Sequence, residues 1–338
     1  MAARVIALVA LFGCGRQRDL PPMVELAASP EAPRLVLIGD TGAYRAGDAD
    51  PAACDPNEDR LDVSEACRAR MIELMRAEAS DGILALGDLV YFSGPTCPRS
   101  GLTDAAGARL DDVLGDYLGA VGAPVLVALG NHDVHQSRWG AAGAERCYLD
   151  YAQRRDGFVF PERTYTATVG DVLVGVLDTN RRLSRPVADA LDARIAAHRA
   201  AFPEGWVLFA GHHPVRTYRD NAVFKALVGK WIRRYGWDVD LYANGHAHYL
   251  QFGVYDGVPA VTSGSGAKAY RVAECRDGDG ACGPGERFTR ATWGYATATF
   301  DERLTVVFRD VAGQELFTWS RDHGDPEGVG VAAPAASR

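Results

Sequence analysis

The chain lacks any apolar run long enough to cross a bilayer. Its longest wholly hydrophobic stretch, Val5 to Phe12, ends after eight residues, where a membrane-spanning helix needs roughly 20. It lacks a basic excess: 36 Lys plus Arg against 44 Asp plus Glu give a formal charge of -8. Nothing therefore draws the chain as a whole to phosphate backbones, and nucleic acid is not an expected partner. It lacks a long polar tract, and with 47% hydrophobic and 24% charged residues it can bury enough apolar surface to offset the entropy of folding. It also lacks C-x-x-C spacing among its 7 cysteines, which removes the usual zinc and redox motifs. Length decides less. The 338 residues are enough for two average domains, yet α/β layers of well over about 200 residues often form one.

Arg4, the apolar run to Phe12 and the small residue Gly13 read as an export signal. Leu11-Phe12-Gly13-Cys14 resembles the lipobox of bacterial lipoproteins, in which the cysteine is lipidated, although Phe12 is bulkier than the usual residue there. An ordinary secretory signal and a misplaced start site are the alternatives. Six cysteines remain, an even number that suits export and three disulfides. Cys275 and Cys282 flank turn formers that can fold the two thiols together. Cys54 with Cys67 and Cys97 with Cys147 are the further pairs expected, out of 15 possible arrangements of six cysteines. Residues 1–33 read as signal or lipobox and linker, 34–320 as one domain and 321–338 as a flexible tail. The expected product is exported, either as a periplasmic or cell-surface lipoprotein or as a secreted protein. Membrane contact is expected only through Cys14, and the chain is expected to be a monomer.

One pattern recurs five times: a short apolar run, a glycine or asparagine-glycine, then polar residues able to bind a metal. Leu35–Ile38 leads into Gly39-Asp40, Ile83–Leu86 into Gly87-Asp88, and Val125–Leu129 into Gly130-Asn131-His132-Asp133. Val207–Ala210 leads into Gly211-His212-His213, and Val239–Ala243 into Asn244-Gly245-His246-Ala247-His248. Such runs predict strands buried on both faces. Leu110, Val113, Leu114, Tyr117, Leu118 and Val121 follow helical spacing. Ser64 is placed to cap another helix, with Met71, Ile72, Met75 and Ala79 inward. Tyr165–Val169 and Val172–Leu177 predict a hairpin at Gly170-Asp171, and the alternating runs between Tyr295 and Trp319 predict strands that complete a second sheet. The fold class is a layered α/β sandwich, in which strand C-termini share one edge where ligands collect.

Asp40, Asp88, Tyr91, Asn131, His212, His246 and His248 would then converge, too many donors for one ion. Two metal ions bridged by a carboxylate and an activated water account for them. Imidazole with carboxylate suits iron, zinc or manganese rather than calcium.

The five ordered blocks resemble those of the purple acid phosphatases, most closely the small tartrate-resistant class, over roughly Arg34 to Ser320. The resemblance implies a four-layer sandwich of two mixed β-sheets flanked by helices. It implies hydrolysis of phosphomonoesters by a metal-activated hydroxide. Asp40, Tyr91 and His248 would hold iron(III), Asn131, His212 and His246 would hold iron(II), zinc or manganese, and Asp88 would bridge. Broader calcineurin-like phosphoesterases carry D-x-H in the first block; here Gly42 stands at that histidine's place and Tyr91 is present.

His132 is expected to reach the phosphate, with Asp133 orienting it. The family's leaving-group histidine has no counterpart, since nine positions after His212 stands Asn221. That leaves His132 as the expected general acid and His213 as the alternative. His135 is read as a loop residue, and His198 and His323 as surface residues. Arg181, Arg182, Arg216 and Arg219 are candidate phosphate contacts. Ala267–Thr292 reads as a disulfide-pinned rim over the site, and Asp277-Gly278-Asp279-Gly280 as a turn rather than a calcium loop. The competing functions are a phosphodiesterase with the same site, a phosphate- or metal-binding surface lipoprotein, and an iron redox protein.

Overall fold

The apolar runs fold as strands that end where their polar motifs begin. In the computed structural model, residues 21–29, 32–42, 44–45, 54, 63–134, 143–215, 227–325 and 328–332 are described. With strands numbered in chain order, one mixed sheet runs β19 (Val329–Ala332), β18 (Glu315–Asp322), β17 (Arg303–Asp310), β16 (Gly294–Phe300), β2 (Arg34–Ile38), β5 (Gly82–Leu86), β6 (Val125–Ala128) and β7 (Phe158–Val159). The other runs β1 (Met23–Leu26), β8 (Tyr165–Val169), β9 (Val172–Val176), β10 (Trp206–Ala210), β11 (Leu241–Asn244), β13 (Val258–Ser263), β12 (Leu250–Tyr255), β15 (Glu286–Arg290) and β14 (Cys275–Arg276). β3 (Tyr44–Arg45) and β4 (Val63–Ser64) form a small parallel pair. β2, β5 and β6 are mutually parallel, as are β10, β11 and β13. Parallel neighbours bring their C-terminal ends to a common edge.

The two-residue period of a strand divides the side chains of the second sheet between two cores. Trp206, Leu208 and Ala210 of β10 join the large cluster that includes Phe317 and Trp319 of the first sheet. Val207 and Phe209 join Leu191 and Ile195 of α4 (Arg185–Ala201) and Trp231 and Ile232 of α5 (Leu227–Tyr235). Helices between the strands of the first sheet add Met71 and Met75 of α1 (Glu65–Ala77) and Tyr148 and Tyr151 of α3 (Ala144–Arg154) to the large cluster. The architecture is thus two mixed sheets flanked by helices.

The predicted helix around Leu110 begins as α2 (Asp104–Leu110), capped by Thr103, and continues through a π-type stretch, Asp111–Leu118, to a 3-10 turn, Gly119–Val121. All six apolar residues singled out there are buried. α1 follows Ser64 directly, but Ala79 lies beyond its end with φ 50°, so it is not on the inner face. The hairpin β8–β9 forms as expected. So do the three disulfides, Cys54–Cys67, Cys97–Cys147 and Cys275–Cys282.

The C-terminal strands differ from the reading above. β16 pairs antiparallel with β2, so β16, β17 and β18 extend the sheet that carries the first three motifs instead of building a second one. Pairing there gives the exposed edge of β2 a partner, which an alternating run of the chain can supply from any distance in sequence. Part of the presumed linker, Met23–Leu26, pairs with β8 and buries Val24 and Leu26. Within the presumed tail, Val329–Ala332 pairs with β18. Cys14 lies outside the described residues.

Candidate metal centre

The first sheet supplies Asp40 after β2, Asp88 after β5 and Asn131 after β6; the second supplies His212 after β10 and His246 and His248 after β11. Asp40, Asp88 and His246 have φ of 57°, 54° and 69°, a left-handed conformation that non-glycine residues adopt mostly at sites where the surroundings enforce it. Each carboxylate uses one oxygen to hold a neighbouring loop. Asp40 Oδ2 accepts from His246 N at 2.7 Å and Asp88 Oδ1 from His132 N at 2.8 Å. The loops press closely together: a Cβ on Gly130 would lie 2.1 Å from Asp88 N, which excludes any side chain there.

The other oxygens face the donors. Tyr91 Oη is 2.8 Å from Asp40 Oδ1 and 3.1 Å from His248 Nε2, which is itself 3.1 Å from Asp40 Oδ1. Asn131 Oδ1 is 3.1 Å from His212 Nε2 and 2.9 Å from His246 Nδ1. Asp88 Oδ2 lies between these two groups, 3.1 Å from Tyr91 Oη and 3.3 Å from His212 Nε2. All seven expected ligands therefore come together, in two threes with a shared carboxylate.

Proton accounting shows what this arrangement fits. His212 Nδ1 faces the Leu86 carbonyl at 2.9 Å and donates to it. That leaves Nε2 pointing at two acceptors, Asp88 Oδ2 and Asn131 Oδ1; a neutral ring would set lone pair against lone pair, so Nε2 needs a proton or a cation. Burial lowers the pKa of His212, but the Asp88 carboxylate outweighs it and raises the value to about 9. Burial works against ionised Asp88 too, yet His212 and His132 hold it below the carboxylate range. Burial, then Asp40 and Asp88, push the Tyr91 phenol well up. Protons thus fill in for positive charge, and the oxygen and nitrogen donors fit two cations. The cluster is a dinuclear metal-binding site.

His132 sits at its opening, with Nδ1 2.8 Å from the Phe92 carbonyl, Nε2 4.0 Å from Asp88 Oδ2 and a side chain 34% exposed. Asp133 does not orient it. Its carboxylate accepts from Leu89 N, Val90 N, Gly130 N and the Tyr148 hydroxyl, because the sharp turns after β5 and β6 leave those buried donors without strand partners. His213 is enclosed, 1% exposed. Thr179 Oγ1 accepts from His212 N and His213 N and donates to His213 Nδ1. Burial and the imidazoles of His212 and His246 push His213 down to about 2, so its ring is neutral, with its single proton on Nε2.

His198 is not on the surface: it is buried in α4 with its ring against Phe202. His323 is half-buried and stacks on Trp206, 3.6 Å between ring centres. Arg181 and Arg182 are exposed and line a cleft of about 240 Å³ with Arg163 and Asp178. His135, Arg216, Arg219 and Asn221 lie outside the described residues. Of the expected rim, only its start reaches the centre: Tyr270 N donates to the His248 carbonyl, and the rings of the two residues stack at 4.5 Å. Cys275–Cys282 instead pins the edge of the second sheet. Asp279 accepts from Arg276 N and Ala281 N, as a turn residue does. Sequence reasoning missed Thr179, Tyr148 and Lys268, none of which stands in a motif; the only signal for Lys268 is the glycine-rich Gly264-Ser265-Gly266 after β13.

Residues 33–250 match the family described as calcineurin-like phosphoesterase. Purple acid phosphatase 7 of Arabidopsis thaliana is 37% identical over 98 residues, 28% of this chain and 28% of that protein. Tartrate-resistant acid phosphatase type 5 of Oryctolagus cuniculus is 28% identical over 260 residues, 69% of this chain and 72% of that protein. The structure of a purple acid phosphatase from yellow lupin (Lupinus luteus) seeds shares the fold, with a TM-score of 0.61 at 16% identity over 90% of this chain and 57% of that one. With that family match covering more than half of its length, the chain belongs to the calcineurin-like phosphoesterases.

Proposed function

We propose that the chain is a phosphatase of the purple acid type that hydrolyses phosphomonoesters. Asp40, Tyr91 and His248 are assigned to iron(III), Asn131, His212 and His246 to iron(II), zinc or manganese, and Asp88 to both. The observation that carries the reading is the Tyr91 hydroxyl within 3.1 Å of Asp40, Asp88 and His248, a phenol donor in one half of the cluster only. Two bound cations supply Lewis acidity toward the phosphoryl group and a lowered pKa for an attacking water.

The chain's own residues do the rest. His132 donates through Nδ1 to Phe92, which leaves Nε2, 4.0 Å from Asp88 Oδ2, as the atom that would give a proton to a departing alkoxide. Thr179 fixes the loop that carries His212, and Asp133 fixes the loops that carry Asp88 and Asn131. We further infer export, since three disulfides suit an oxidising compartment, with a lipid on Cys14 to be sought by mass spectrometry.

Purified protein is expected to hold two metals per chain, to show a visible phenolate-to-iron band and to hydrolyse a panel of phosphomonoesters. Tyr91→Phe should lose the band while remaining folded. A colourless, iron-free and fully active protein would overturn the iron assignment. Two bound metals without hydrolysis of any monoester would overturn the phosphatase reading, and faster turnover of diesters would make it a phosphodiesterase.

A further inference from the structure

We propose that Lys268 contacts the phosphoryl group of the substrate and selects doubly charged phosphomonoesters over singly charged diesters, an inference that rests on the phosphatase reading above. Lys268 is 8% exposed, and its ammonium has no hydrogen-bond or ion-pair partner among the described residues. Its ammonium lies 5.4 Å from the ring centres of each of Tyr91, Phe92 and Tyr270. Tyr91 carries a hydroxyl inside the metal cluster, Tyr270 stacks on the ligand His248, and Phe92, 76% exposed, flanks the opening beside His132. The cation therefore stands beside the metal centre, where two bound cations would make the field positive.

Its position is built. Lys268 ends a loop whose Gly266 N donates to the Gly39 carbonyl and whose Ala267 N donates to the Asp40 carbonyl. The Tyr117 hydroxyl donates to the Gly266 carbonyl, and Tyr270 N to that of His248. A Cβ on Gly266 would lie 2.6 Å from the Gly39 carbonyl oxygen, so the loop fits only as a close layer on the Asp40 turn. Aromatic faces offset part of the cost of burying an ammonium, but a buried cation beside bound metals, with no ion pair to a carboxylate among the described residues, is unfavourable until an anion arrives. The ligand that satisfies Lys268 and both metals together is a compact, multiply charged oxyanion. A monoester presents three non-bridging phosphoryl oxygens and two negative charges, enough for the metals and the ammonium at once. In a diester, one of those oxygens carries an organic group and one charge is gone.

The test compares 4-nitrophenyl phosphate with bis(4-nitrophenyl) phosphate, which share a leaving group, in wild type, Lys268→Met and Lys268→Arg. Lys268→Met should lower the monoester-to-diester ratio of kcat/KM about tenfold and weaken inhibition by inorganic phosphate about tenfold, the loss of one charge-assisted contact. Metal content should stay at the wild-type level, and Lys268→Arg should restore most of the ratio. Equal losses on both esters, or no loss on either, would overturn the proposal, because a lysine that only packs the three rings cannot discriminate substrates by charge. If Lys268→Met fails to fold, Lys268→Gln makes the same comparison. If wild type with both metals bound hydrolyses neither ester, the phosphatase reading fails. Calorimetric binding of inorganic phosphate to the metal-loaded protein then decides Lys268, and equal affinity in wild type and variant overturns it.

Discussion

Asp88 makes the charges of the centre interdependent. One of its oxygens holds the backbone of His132, and the other stands between Tyr91 and His212. Asp88→Asn should lose both metals, as a metal count per chain would show; two metals retained at unchanged affinity would remove its bridging role. The same pair sets a pH dependence. His212 is raised to about 9 in the metal-free protein, with burial opposing and Asp88 prevailing. Its contribution to folding is then complete below the ordinary histidine value of about 6.5 and is lost as pH rises through about 9. Asp88, depressed, contributes above its ordinary value of about 4 and loses that contribution as pH falls. A metal held by Asn131, His212 and His246 must displace the His212 proton, so apparent affinity for it should rise about tenfold per pH unit up to near 9. Competition with a chelator between about pH 6 and pH 8 measures it, and a flat profile would show that the ring binds no proton there.

At the scale of elements, α3 acts on the centre without touching it. Tyr148 on α3 donates to Asp133, which holds the turns after β5 and β6. Tyr148→Phe should cost about 1–2 kcal/mol in unfolding free energy and loosen metal binding, whereas removal of an exposed hydroxyl would do neither. Cys97–Cys147 ties the segment after Tyr91 to the same helix across 50 residues, while Cys275–Cys282 spans 7. Loop-closure entropy gives about 4 kcal/mol for the longer loop and about 2 kcal/mol for the shorter. Replacing both cysteines of each pair by serine and comparing denaturant midpoints tests that order. Only the longer pair should also affect metal content.

For the whole molecule, the decisive fact is that each sheet brings half of the site. Asp40, Asp88, Tyr91 and Asn131 come from loops of one sheet, and His212, His246 and His248 from the other. Ions held between them cross-link the sandwich and bind only the folded state. Metal at about a thousand times its dissociation constant adds about 4 kcal/mol, which for a chain of this size raises Tm by about 6 °C. A scan with and without chelator measures the shift, and unchanged melting would mean that the two halves do not share their ions.

The sequence by itself determined the strands that lead into the polar motifs and the β8–β9 hairpin, because glycine-bounded apolar runs of that length have one low-energy reading. It determined which donors converge as well, because Asp40, Asp88, Asn131, His212 and the His246–His248 pair each follow such a run directly. The pairing of cysteines around turn formers was legible for the same local reason. What only the tertiary structure decided lies in contacts between residues distant in sequence. β16 finds β2 and not a new sheet, since hydrogen-bonding capacity at a strand edge carries no address in the sequence. Asp133 turns from His132 to four buried donors, His198 and His213 are enclosed, and Lys268 arrives beside Tyr91 across more than a hundred residues. Local sequence sets which conformation a segment prefers; which buried donor, ring or charge it meets is set by close packing, where a group is placed by everything that surrounds it.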